Sequence, residues 1–228
     1  MKPLTIITRT SGRPNFFKIC RHSIEAQDYP TIKHIVLVDD NYDNNYVKQY
    51  ENKLYQTIYI KASEVPHYNL YLNLALKILP KNELFCVIDD DDFYTMPTSL
   101  SRFVRTLGDG DIVFSKVRAA GGIVPTDNRM KAGQRELVFG QLSMIGFVMT
   151  TDAVKDAKFP HSCGGDFQFI NQVVQNNYEG DWNHPKLRWT REILASTNPV
   201  LRQGGGQKRD MPFDLAWKGY ERNSTCPR

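Results

Sequence analysis

The chain has 228 residues, 41% of them hydrophobic and 24% charged, which suits one generous globular domain and does not demand two. Its net charge of +4 would accommodate an anionic small molecule, yet it falls far short of the clustered basic stripe of a nucleic-acid binder. No apolar run approaches the ~20 residues needed to cross a bilayer, so no integral membrane segment is expected. Cys20, Cys86, Cys163 and Cys226 form no CxxC pair, and Met1-Lys2-Pro3 leads directly into an apolar stretch without a signal-peptide pattern. Both features predict a cytoplasmic protein with reduced thiols and neither a disulfide nor a zinc framework.

In chain order, residues 4–8 read as a short buried strand broken by a loop at 9–14. Residues 16–26 have helical spacing, with Phe17, Cys20 and Ile24 on one face. A second apolar strand at 34–38 ends abruptly in Asp39-Asp40-Asn41, followed by a helix at 46–55 and a third strand at 57–60. Residues 68–79 carry Leu72, Leu76 and Leu79 at helical spacing and stop before Pro80. At 84–88, five apolar residues without alternation indicate a strand buried on both faces, as in a mostly parallel sheet. Strands are then expected at 111–117 and 144–150 and a helix at 166–175, and from residue 195 the chain is rich in Gly, Asn and Arg. These elements give a single α/β domain, with an alternating first half (1–100), a more irregular second half (101–195) and a flexible C-terminal segment (196–228).

The most informative stretch is Phe85-Cys86-Val87-Ile88-Asp89-Asp90-Asp91-Asp92. Four adjacent carboxylates at the end of an apolar strand repel one another, a cost usually offset by a bound cation. In extended backbone Asp89 and Asp91 project to the same side. Hard carboxylate oxygens suit Mn2+ or Mg2+, above all when a diphosphate supplies further oxygens. Ligands of open α/β sheets lie beyond the carboxyl ends of the strands, where this cluster falls. A solvated acidic turn is the bland alternative, strongest for Asp90 alone. Asp39 or Asp40 could accept hydrogen bonds from a nucleobase or ribose, and would equally suit a turn or a helix cap.

The ordered set Thr5-Ile6-Ile7-Thr8-Arg9-Thr10 with Arg13-Pro14, Val36-Leu37-Val38-Asp39-Asp40, Asn73-Leu74-Ala75 and Val87-Ile88-Asp89-Asp90-Asp91-Asp92 resembles glycosyltransferase family 2 and other GT-A enzymes. The likeness continues through Gly146-Phe147-Val148-Met149 and Phe159-Pro160 to Gly164-Gly165-Asp166-Phe167. The opening Thr8-Arg9-Thr10-Ser11-Gly12-Arg13-Pro14 is also similar to GT-A domains encoded by large algal viruses. The resemblance implies a Rossmann-like, mostly parallel sheet flanked by helices. It also implies a nucleotide-sugar donor, by family habit a UDP-sugar, a glycan or glycoconjugate acceptor, and a divalent ion. Thr8, Arg9, Arg13, Asn73 and Asp90 would then lie on the nucleotide-sugar, Asp39 or Asp40 would bind the base, and Asp89 would lie near the ribose. Asp91, with Asp89, would hold the metal, and Asp166 would be the base of an inverting transfer. The chain departs from the family at Gly165, where Glu is usual.

Arg9 and Arg13 suit phosphate contacts, although Arg13 is equally readable as surface charge. Asp166, after Gly164-Gly165 and before an apolar helical pattern, could also be a helix N-cap. Gly204-Gly205-Gly206 with Lys208 and Arg209 could form a closing loop or a segment without a role. His161 and His184 could complete a metal shell or touch acceptor, and Tyr178, Trp182 and Trp189 read first as packing. A nucleotidyltransferase would share the sheet plan, but its Gly-rich, Arg-containing loop is missing after the first strand. A catalytically silent nucleotide-sugar-binding domain would not need Asp89, Asp91 and Asp166 together.

Overall fold

The structure, a computed structural model, describes residues 1–39, 45–50, 55–60, 68–119, 121–133, 135–161, 164–197 and 217–218. Asp40, Cys163, Cys226, the 204–206 glycines, Lys208 and Arg209 lie outside the described residues. The chain runs β1 (Leu4–Thr10), α1 (Pro14–Glu25), β2 (Ile32–Asp39), α2 (Asn45–Lys48), β3 (Tyr55–Ile60), α3 (Tyr68–Leu76) and β4 (Leu84–Asp89). It continues as β5 (Asp92–Tyr94), α4 (Ser99–Leu107), β6 (Ile112–Ala119), β7 (Gly122–Val124), β8 (Phe147–Thr150), α5 (Gly165–Tyr178) and β9 (Leu187–Thr197).

The described strands form one sheet in the order β3-β2-β1-β4-β8-β6-β9-β5, with β7 paired to β6. Strands β1 to β4 pair in parallel throughout, and there the parallel expectation holds. Beyond β4 the sheet is mixed, which corrects that expectation: β8 runs antiparallel to both β4 and β6, and β9 pairs parallel with β6 but antiparallel with β5. Strand β7 opens at Gly122, which pairs with Ala119 of β6 and whose φ of +124° is a conformation that side-chain-bearing residues rarely adopt.

Two apolar layers cover the sheet. On one face Ile7, Ile35, Leu37, Phe85 and Val87 pack with α3 and α5 through Leu72, Ala75, Phe169 and Val173. On the other, Leu4, Ile6, Leu84, Cys86 and Ile88 pack with α1 and α4 through Cys20, Ile24, Leu100 and Phe103. Alternation along each strand divides its residues between the layers, so a strand with two buried faces is apolar without a break. Cys20 and Cys86 are buried free thiols. No helix among the described residues is long and apolar enough to cross a membrane.

Several elements differ from the sequence reading for visible reasons. The helix expected at 46–55 ends at Lys48 as α2, and Tyr55 is recruited into β3 by pairing with His34. The strand expected at 144–150 begins with a 3-10 turn at Met144–Gly146, where Gly146 packs so closely that a Cβ would lie 3.0 Å from Val117 Cγ2. Helix α4 and strand β9 were not anticipated, although Leu100, Phe103 and Leu107 have helical spacing. In β9, register shifts against β6 break the alternation that would have revealed an 11-residue strand.

Candidate functional site

The carboxyl ends of β1 and β4 are direct register partners, Arg9 opposite Asp89. Strand alternation sends this pair to the α3/α5 face, after Ile7 and Val87. Arg9 donates from Nε to Asp89 Oδ1 at 2.8 Å, and from one terminal nitrogen to Oδ1 and Oδ2 at 2.6 and 2.7 Å. Its other terminal nitrogen donates to Asn69 Oδ1 at 2.7 Å. Asn69, buried on α3, thereby fixes the guanidinium from the far side.

The next residues, Thr10 at the end of β1 and Asp90 in the turn after β4, make a second cluster on the opposite face. Thr10 Oγ1 donates to Asp90 Oδ2 at 2.7 Å, and Arg13 Nε donates to the same oxygen at 3.0 Å. A second Arg13 nitrogen bonds Asp90 Oδ1, so the carboxylate is held bidentately. Tyr46 of α2 closes this cluster through its hydroxyl, 2.7 Å from Thr10 Oγ1. Burial pushes the Asp90 carboxyl up to about 7, against the pull of Arg13 and Thr10. Burial works against the Arg13 charge, but Asp90, Asp91 and Asp89 outweigh it and hold the guanidinium protonated more firmly than usual.

The acidic cluster is thus balanced differently from the sequence expectation. Arg9 at the end of β1 meets Asp89, Arg13 in the loop after β1 meets Asp90, and Asp91 Oδ2 lies 3.9 Å from Arg13. The same-side argument for Asp89 and Asp91 presupposed extended backbone, whereas the chain turns at Asp90 and Asp91 between β4 and β5. Among the described residues no three His, Cys, Asp or Glu side chains converge as a metal cage.

Asp166 lies in the first turn of α5. The N-cap is Gly164, in the left-handed region at φ +74°, and Asp166 Oδ1 accepts from the Phe167 amide at 2.8 Å. The carboxylate therefore satisfies one helix-terminal amide without being the cap residue itself. Burial raises its pKa; the Phe167 amide pulls it down, Asp89 raises it and Arg9 lowers it, with a net upward shift. Asp166 and the Arg9–Asp89 pair accordingly share one electrostatic neighbourhood. Gly165 is glycine for steric reasons, because a Cβ there would lie 2.4 Å from Asn69 Nδ2. Asn69, which also grips Arg9, fills the space that a Glu at 165 would require.

Other predicted residues are placed elsewhere. Asn73 exchanges two hydrogen bonds with the Phe159 backbone, at 2.9 and 2.8 Å, and so fixes the segment leading to α5. Thr8 Oγ1 is buried 2.8 Å from His34 Nε2. Asp39 closes β2 opposite Ile60, and its backbone alone is described. His184 stacks on Tyr178 with ring centroids 4.5 Å apart, Tyr178 donates to Asp111, and Trp182 and Trp189 pack around Phe114, as packing residues would. Thr10, Tyr46 and Asn69 were not singled out. Asn69 and Asn73, one helical turn apart on an otherwise apolar helix, were the signal that could have found the last of them.

No protein-family model and no curated protein sequence matches this chain. Among solved structures it resembles GT-A glycosyltransferases. S. aureus TarS 1-349 matches with a TM-score of 0.64 at 15% identity, over 96% of this chain and 69% of that one. That fragment in complex with UDP-GlcNAc matches at 0.64 and 16% identity, over 85% and 58%. The mannosyltransferase PcManGT from Pyrobaculum calidifontis, in complex with GDP-Man and Mn2+, matches at 0.64 and 14%, over 89% and 58%. The chain spans 42% of the longer S. aureus TarS structure. At these identities the likeness establishes the fold: a mixed α/β sheet of the GT-A type.

Proposed function

We propose that this chain is a metal-dependent glycosyltransferase that moves a sugar from a nucleotide-sugar, a UDP-sugar in the first instance, to a hydroxyl of a glycan or glycoconjugate with inversion. The observation that carries this reading is the convergence of Arg9, Asp89, Asn69 and Asp166 beyond the carboxyl ends of β1 and β4. In an open α/β sheet that is where ligands bind. Arg9, and the part of Arg13 left exposed beside its bond to Asp90, would meet the donor's phosphates, Asp39 or Asp40 the base, and Asn73 would position the acceptor side by holding Phe159.

The carboxylates of Asp89 and Asp91 fit a divalent ion in kind, because carboxylate oxygens are the hard ligands Mn2+ and Mg2+ take. Without a three-residue cage among the described residues, the diphosphate itself would complete the shell. Asp91, with Asp89, is the assigned ligand, and an ion there would supply positive charge to the departing diphosphate. In the transfer the acceptor oxygen bonds to the donor's anomeric carbon as that carbon's bond to the diphosphate oxygen breaks. The acceptor's proton passes to Asp166, whose raised pKa brings it nearer the value a base needs.

Calorimetric titration with UDP and GDP, with and without Mn2+, followed by a donor-turnover assay, tests the reading. Metal-dependent binding with sugar release supports it. Binding without release would leave a silent nucleotide-sugar-binding domain. Release of pyrophosphate from a nucleoside triphosphate and a sugar phosphate would identify a nucleotidyltransferase instead. Asp166→Asn should lower turnover by roughly 10²–10⁴-fold at unchanged donor affinity, the span of positioned base catalysis. Retention of the donor's anomeric configuration in the product would exclude the inverting transfer.

A further inference from the structure

Phe139 is 65% exposed, the most exposed large hydrophobic side chain among the described residues after the N-terminal Met1. It is not on a loose segment. Leu137 and Leu142 on either side are buried in the same apolar layer as α5. Between them the Gln141 amide closes a turn on the Val138 carbonyl at 3.0 Å, and the Gln141 side chain accepts from the Thr126 amide at 3.0 Å. Gly140, at φ +81°, takes the left-handed conformation the turn needs. Such turn tips ordinarily carry Gly, Asn, Asp or Ser, and here two buried leucines and a closed turn hold an aromatic ring outward.

The ring lies against the start of α5. A Cβ on Gly164 would fall 2.0 Å from Phe139 Cε2 and 2.7 Å from Cδ2, so the ring occupies the space a side chain at 164 would fill. Together with its φ of +74°, this gives Gly164 two independent reasons to be glycine. Two peptide units span at most about 7 Å, which sets the separation of the Gly164 and Asp166 Cα atoms. Phe139 and Asp166 thus sit at the same end of α5, within reach of one sugar ring.

We propose that Phe139 is the stacking platform for the acceptor's sugar ring and sets the orientation in which its hydroxyl meets the base. Aromatic faces take up the apolar C–H face of a pyranose while leaving its hydroxyls to polar groups, the division of labour expected of a binding cleft. This rests on the glycosyltransferase reading and on Asp166 as base.

The test uses saturation-transfer NMR on the full chain with a panel of methyl pyranosides (glucose, galactose, mannose, N-acetylglucosamine, xylose, rhamnose and fucose, both anomers), in the presence of UDP and Mn2+. The wild type should transfer saturation to one or more of them. Phe139→Ala should reduce that signal at least tenfold, and Phe139→Trp should keep it. UDP affinity and the slow hydrolysis of a UDP-sugar by water, measured in parallel, should stay within twofold in both variants. Binding of no pyranoside by the wild type, or unchanged binding by Phe139→Ala, overturns the proposal. So does a change of sedimentation coefficient in Phe139→Ala, which would mean the ring packs against a second copy. Failure of the wild type to bind any nucleotide would instead overturn the glycosyltransferase reading, which keeps the two failures distinguishable.

Discussion

The two arginine–aspartate pairs at the end of β4 are neighbours in sequence and opposites in environment. Arg9–Asp89 lies on the α3/α5 face, where the Asp89 side chain keeps 27% of its exposure. Arg13–Asp90 lies on the α1/α4 face, where Asp90 keeps 0% and is also bonded by Thr10. As the chain leaves β4 for the turn, a carboxylate that water reaches is followed at once by one sealed inside the fold, while both arginines keep part of their exposure, 12% for Arg9 and 19% for Arg13. The difference assigns them different work. Arg13–Asp90 ties the loop after β1 to the turn after β4, and Arg9–Asp89 is held ready by Asn69 beside Asp166. Runs of like residues are therefore poorly read as single features, since alternate members serve different layers.

The largest expected effect comes from breaking the buried pair. Arg13→Met leaves Asp90 uncompensated in the interior, which should cost about 3–5 kcal/mol. For a chain of this size that is a fall in Tm on the order of 10 °C or more. Arg13→Met combined with Asp90→Leu, which removes both charges, should recover much of the loss. Arg9→Met should lower Tm far less, because water still reaches Asp89. Equal losses from Arg9→Met and Arg13→Met in a thermal melt would erase the distinction between the two pairs.

A smaller effect separates binding from folding. Asp91→Ala should lower kcat/KM with Mn2+ on the order of a hundredfold, about 2.7 kcal/mol of transition-state stabilisation, with a smaller loss of Tm than Arg13→Met. Chelation of the wild type with EDTA should give a comparable loss. Normal transfer by Asp91→Ala, or activity indifferent to EDTA, would remove the metal from this site and leave the two arginines as its cations.

These pairs also show how far the sequence could be read. Strand β4 was legible because burial on both faces leaves an unbroken apolar run, and β1 and β2 because buried Thr5, Thr8 and His34 interrupt theirs only briefly; the aspartates that follow stood out because adjacent carboxylates demand compensating charge. The partners were not legible. Arg9 and Asp89 are 80 residues apart and meet only through strand register. The turn at Asp90 and Asp91 cancelled an argument that needed extended backbone. Gly165 looked like a departure from a family pattern, and its reason, the Asn69 amide 2.4 Å from where a Cβ would be, is tertiary. Strand β9 was hidden because its pairing with β6 shifts register. Phe139 carries no signal in its neighbours, since its exposure follows from how Leu137 and Leu142 are anchored.

The smallest effect concerns Asp166, which shares the open side of the sheet with Arg9 and Asp89. Its folded-state carboxyl is raised by burial and by Asp89, so the folded protein retains this proton at pH values where the unfolded chain has released it. As pH rises from the ordinary carboxylate range through the folded pKa, the native state binds more protons than the unfolded state, and stability falls. The cost is fully present once the pH exceeds the folded pKa. Asp166→Asn cannot ionise, and its amide oxygen can still accept the Phe167 N–H. The variant should therefore melt at or slightly above the wild type at neutral pH, by at most roughly a few degrees, and this advantage should disappear at a pH below the ordinary carboxylate range. The acid limb of wild-type kcat/KM should lie above that range, since the base must be deprotonated to accept the acceptor's proton. A variant that melts well below the wild type at neutral pH would make Asp166 chiefly a support for the start of α5. An acid limb at the value of an ordinary aspartate would separate the activity from the buried environment in which this carboxylate sits.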